Sequence, residues 1–145
     1  MKNNKAFTLI ELIVIIVILG VIMVFALPNI TSTLERNNKD KMIIDAKDMV
    51  EKARNYISSG KASYPTTGSS TTLKLDEIDL REEIKDSPFG NSYDRTNSKV
   101  EISLDSGVYK YNVCLDDNSY KLSTTSDISE LNQDSKYTAI TSGDC

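Results

Sequence analysis

The 145-residue chain carries 17 basic and 21 acidic side chains, no histidine and two cysteines, for a formal charge of −4. Its length allows one modest domain, and the missing histidine excludes His-based catalysis and His-ligated metal sites. The acidic balance argues against a nucleic-acid-binding body, which needs clustered Lys and Arg.

A basic leader, Met1 to Ala6, runs directly into an apolar segment from Phe7 to Leu27. At about 1.5 Å rise per residue such a segment spans ~30 Å, the thickness of a bilayer core. One ionisable residue, Glu11, lies inside it. A carboxylate there costs roughly 2.5–3.5 kcal/mol on insertion scales, so it requires a partner. An ordinary membrane anchor explains the apolar run but not Glu11. A secretory signal peptide needs a shorter apolar region and a better cleavage site than Val24-Phe25-Ala26.

The stretch Lys5-Ala6-Phe7-Thr8-Leu9-Ile10-Glu11-Leu12 resembles the class III signal of type IV pilins and pseudopilins. The resemblance implies that a prepilin peptidase cuts between Ala6 and Phe7 and that Phe7 is then N-methylated. It also implies that Glu11 guides assembly. A cut there creates an ammonium group four residues before Glu11, on the same helix face. That group can pair with its own Glu11 or with Glu11 of a neighbouring subunit; in the family the second pairing registers each subunit on the last.

Gly20 and Pro28 are the weak points of the apolar helix, and Pro28 is expected to kink it without ending it. Beyond Pro28, Ile30, Leu34, Met42, Ile43, Ala46, Met49, Val50, Ala53, Tyr56 and Ile57 recur at three- and four-residue steps, with charges between them. Ser58-Ser59-Gly60 reads as the stop. Residues 61–98, rich in Ser, Thr, Gly and Pro, read as a connection with turn chemistry more than regular structure. Within it Leu75, Ile78, Leu80 and Ile84 are the expected inward residues. Asp86-Ser87-Pro88-Phe89-Gly90-Asn91-Ser92-Tyr93 resembles an Asp-Pro-Trp-Gly-Asn-Pro-Tyr stretch of major pseudopilins and many pilins of cells with a single membrane, with Ser87 inserted, Phe89 in place of Trp and Ser92 in place of the second Pro. It reads as a turn pinned by its two aromatics.

From Lys99 the period falls to two. Val100, Ile102 and Leu104 lead to a hairpin at Asp105-Ser106-Gly107, and Tyr109, Tyr111, Val113 and Leu115 share the next face. A turn at Asp116-Asp117-Asn118-Ser119 precedes a third strand at Tyr120–Leu122. The polar tail ends on Cys145. Downstream of a membrane segment, Cys114 and Cys145 read as a disulfide, with two free thiols as the alternative; the resemblance implies the disulfide-bounded loop common in pilins. Asp116 and Asp117 offer oxygen ligands, and major pseudopilins bind Ca²⁺ in a C-terminal loop. The spacing matches no EF-hand, however, and the cluster also reads as a plain turn. No metal or other cofactor is expected beyond that option. There is no phosphate-binding glycine loop, no Cys-x-x-Cys and no Ser/His/Asp set, so an enzyme is not expected.

The expected fold is α+β, a pilin-like lollipop. A helix over about 7–58 packs its second half on a small antiparallel sheet at about 99–123, and a disulfide closes the loop after it. The divisions are a leader (1–6), an assembly half-helix (7–28), an amphipathic half-helix (29–60) and a head (61–145). The head comprises a connection (61–98), a meander (99–123) and a C-terminal loop (124–145). The resemblance implies a filament subunit whose partners are copies of itself, other pilins, the prepilin peptidase and methyltransferase, an inner-membrane assembly platform and membrane lipid. Such a chain starts in the cytoplasmic membrane and moves to a surface filament. A pseudopilin of a secretion or DNA-uptake machine and a membrane-anchored binding module are the alternatives.

Overall fold

The computed structural model describes residues 7–131 and 135–145. Its first element is one helix, α1, Leu9–Ser58. The helix starts two residues later than the apolar run because Thr8 caps it from outside. It continues through Gly20 and Pro28, so neither residue ends it. By internal contacts the chain divides into two units, 1–36 and 37–145, with α1 contributing to both.

The end of α1 follows from its last residues. Gly60 adopts φ +78°, a conformation that costs a residue with a Cβ. Its N–H reaches the carbonyl of Ile57 at 2.9 Å, and the Lys61 N–H reaches that of Tyr56 at 3.3 Å. These are the two bonds of a Schellman motif, which satisfies carbonyls the helix cannot.

After the helix come β1 (Ser70–Lys74), α2 (Leu75–Ile78), β2 (Lys99–Asp105), β3 (Val108–Asp116) and β4 (Tyr120–Ser123). A 3-10 turn (Ile128–Glu130), α3 (Ser135–Thr138) and β5 (Ile140–Ser142) complete the chain. The strands form one antiparallel sheet in the order β1-β2-β3-β4-β5. The expected three-strand meander is therefore the middle of a five-stranded sheet. β1 escaped the sequence reading because Ser70-Thr71-Thr72 looks like loop composition. β5 escaped because Ile140 is its one apolar residue.

Register explains the core. Leu73 pairs with Val100, which pairs with Val113; Leu115 pairs with Leu122, which pairs with Ile140. With side chains alternating across the sheet, these rows share one face. They meet a stripe on α1 made by Met42, Ile43, Ala46, Met49, Val50, Ala53 and Ile57 in a single buried cluster. The stripe starts later than the sequence pattern suggested: Ile30 and Leu34 are 53% and 55% exposed.

Between Asp105 and Val108 the hairpin has two residues, Ser106 at φ +51° and Gly107 at φ +83°. Positive φ at both positions is the demand of a type I′ turn. Beyond the reach of β4, side chains take over the edge of β3. The Val113 N–H donates to Thr124 Oγ1 at 2.8 Å and the Tyr111 N–H to Asp127 Oδ2 at 2.7 Å. An edge that would otherwise expose unpaired N–H groups is thereby closed.

One inward residue was misassigned. Leu75 and Ile84 are buried and Ile78 is half-buried, but Leu80 is 71% exposed. α2 ends after one turn, and Asp79 enters the interior in its place. Its carboxylate accepts the N–H of Ile84 at 2.8 Å and lies 3.1 Å from Lys52 Nζ and 3.3 Å from Arg95 Nη1. Burial pushes the Asp79 carboxyl up; the Ile84 N–H, Lys52, the Glu83 N–H and Arg95 outweigh it, so the net shift is downward. The loop Asp86–Tyr93 is pinned as its aromatics suggested. Phe89 stacks on Tyr120 with centroids 4.3 Å apart, and the Tyr93 hydroxyl donates to Asp45 of α1 at 2.8 Å.

Candidate functional site

The first place to which function attaches is the start of α1. Thr8 stands just outside the helix and Glu11 is its third residue, the spacing of a capping box. The Thr8 N–H and hydroxyl both donate to Glu11 Oε2, at 2.9 and 2.8 Å. The Glu11 N–H donates in return to Thr8 Oγ1 at 3.3 Å. The free N–H groups of a helix end find no water inside a bilayer core, so a carboxylate that accepts from one offsets two costs together. This second task for Glu11 was missed in the sequence, although Thr-x-x-Glu ahead of an apolar run is its signature.

Phe7 is exposed, while Ala6 lies outside the described residues. From Leu9 to Phe25 the large apolar side chains are exposed on every face of α1. A helix apolar all round needs lipid or other helices to cover it, and α1 is long and apolar enough to cross a membrane.

The second place is the turn after β3 and the tail that returns to it. Cys114 and Cys145 form a disulfide with Cα atoms 5.9 Å apart. Cys114 lies on the sheet face opposite Val113 and Leu115, where the alternation of β3 puts it. Asp116 and Asp117 are fully buried, a property the sequence reading lacked. Asp116 Oδ1 accepts the N–H of Asn118 at 2.7 Å, and Oδ2 accepts that of Cys145 at 2.9 Å. Asp117 Oδ1 accepts the N–H groups of Ser119 and Tyr120, at 2.9 and 2.6 Å, and Oδ2 accepts the Ser87 hydroxyl. Their oxygens fasten the turn, the preceding loop and the tail to one another, as short polar side chains do when they replace backbone partners. Among the described residues no three His, Cys, Asp or Glu side chains gather as a metal-binding group would.

Comparison with known proteins bears on the first place directly. Residues 1–27 match the prokaryotic N-terminal methylation motif. The chain is 34% identical over 67 residues to the type II secretion system core protein G of Klebsiella pneumoniae, an overlap of 46% of this chain and 47% of that protein. It is 33% identical over 67 residues to the protein of the same name from Vibrio cholerae, covering 46% and 45% of the two chains. The match thus spans about half the length of these relatives. No solved structure matches the chain significantly. Motif, relatives and fold agree on the type IV pilin and pseudopilin family, whose members are structural subunits and not enzymes, as the group this chain resembles.

Proposed function

We propose that the chain is a structural subunit of a type IV pilus-like filament, made as a membrane precursor. It is cut between Ala6 and Phe7 and N-methylated at Phe7 by a prepilin peptidase. It then assembles with copies of itself and other pilins, through an inner-membrane assembly platform, into a surface filament. The observation that carries the reading is the start of α1: a methylation motif leading into a helix apolar on all sides, with one carboxylate in its first turn. A charge expensive alone in lipid becomes acceptable when the ammonium of a neighbouring subunit neutralises it.

The two relatives favour a second reading, a pseudopilin of a secretion machine, because both are named as type II secretion system core proteins. Mass spectrometry on sheared surface filaments and on the membrane fraction separates the two. An abundant N-methylated Phe7 peptide in the sheared fraction supports the pilus; the same peptide confined to membranes supports the pseudopilin. An intact Met1 terminus throughout would overturn both.

Glu11→Gln tests the docking role without removing the cap. A glutamine still offers an oxygen to the Thr8 N–H and is allowed at this position of a capping box. The variant should be cleaved and membrane-inserted, with filament incorporation reduced about tenfold or more through loss of a charge-assisted pair. Incorporation at the wild-type level would show that the charge does not register subunits.

A further inference from the structure

We infer that Asp116 and Lys121 are positioning residues that deliver Cys145 to Cys114 for disulfide closure. Cys114 and Asp116 lie two apart on β3 and so share a sheet face; Lys121 on β4 is the direct partner of Asp116 in the sheet. These residues grip the peptide group joining Asp144 to Cys145 from both sides. Asp116 Oδ2 accepts its N–H at 2.9 Å, and Lys121 Nζ donates to its carbonyl, the Asp144 oxygen, at 2.7 Å. A carboxylate on the donor end and an ammonium on the acceptor end match the dipole of that peptide, and both bonds are charge-assisted. The adjoining pairing of β5 with β4 brings the tail back along the sheet. None of these contacts uses a sulfur atom, and on this proposal the reduced tail docks first and the bond forms second.

With oxidised glutathione as the oxidant, closure has two steps. The thiolate of one cysteine attacks glutathione disulfide, giving a mixed disulfide and one reduced glutathione. The thiolate of the other then displaces the second glutathione and forms Cys114–Cys145. Two protein thiols lose two protons and two electrons, and one glutathione disulfide becomes two thiols. The grip acts on the second step alone, because only that step depends on how close the two cysteines are held.

The experiment follows both steps by alkylation and mass spectrometry on the full chain in detergent, in a glutathione buffer. Lys121→Met and Asp116→Asn are compared with wild type and with Lys110→Met, a β3 lysine whose partner is Asp105. Each grip variant should slow the intramolecular step, and lower the closure constant, by about tenfold for one hydrogen bond lost. The glutathione attack rate should be unchanged, and Lys110→Met should match wild type. Lys121 is partly exposed, so its variant decides the matter if Asp116→Asn does not fold. An intramolecular step as fast in Lys121→Met as in the control would overturn the proposal. So would unprotected backbone amides over residues 140–145 in the reduced Cys145→Ser protein.

Discussion

At the scale of single residues, the head of this chain relies on buried aspartates whose oxygens replace missing backbone partners. Asp79, Asp116, Asp117 and Asp127 each accept N–H groups that no strand or helix serves. Asp79 differs in also holding two cations. Removing it by Asp79→Ala leaves Lys52 and Arg95 without their buried partner and should cost about 3 kcal/mol, read from urea denaturation. The pH dependence carries the same sign. Because the Asp79 carboxyl titrates below its ordinary value of 3.8, its contribution is complete above that value and is lost as pH falls further. Asp45 works the other way: burial raises its carboxyl, against the opposing Tyr93 hydrogen bond, so its ionisation above pH 3.8 weakens the fold. Acid titration of Asp79→Ala should therefore show a shallower loss of stability below pH 3.8 than wild type.

At the scale of elements, what could be read from the sequence was what repeats. The α1 stripe, the Gly60 stop and the alternation through β2 and β3 each rest on a period or on a residue with one conformational use. What could not be read was decided by partners far away in sequence. Ser70-Thr71-Thr72 is a strand only because β2 lies beside it, and Ile140-Thr141-Ser142 only because β4 does. Leu80 looked like core by its place in an apolar series, yet a one-turn helix gave its place to Asp79. The Thr8–Glu11 cap was legible and was overlooked because the carboxylate already had an assigned role. The Gly60 stop gives a sharp test. A side chain at φ +78° is strained although nothing lies within 4 Å of the added Cβ. Gly60→Ala should thus lower stability by about 1 kcal/mol, measured by denaturant midpoint at unchanged slope.

At the scale of the whole molecule, the apolar surface falls into two classes. From residue 42 onward the apolar face of α1 belongs to a closed core shared with the sheet. From Leu9 to Phe25 the large apolar side chains are exposed among the described residues. A fragment spanning residues 37–145 should therefore be soluble and monomeric by light scattering, with a cooperative thermal transition. The full chain should need detergent or lipid. A fragment that aggregates or melts without cooperativity would mean that the first unit supports the second.

The strictly sequential order of the strands has a consequence for how the head is made. Every ladder joins strands consecutive in the chain, and the central pairs β2–β3 and β3–β4 close over short turns. Such topology keeps loop-closure entropy low and favours rapid folding. On the proposed reading, in which the chain leaves a membrane helix-first, the α1 stripe stays bare until the sheet arrives. Strand-by-strand growth shortens that interval, during which the stripe is open to aggregation.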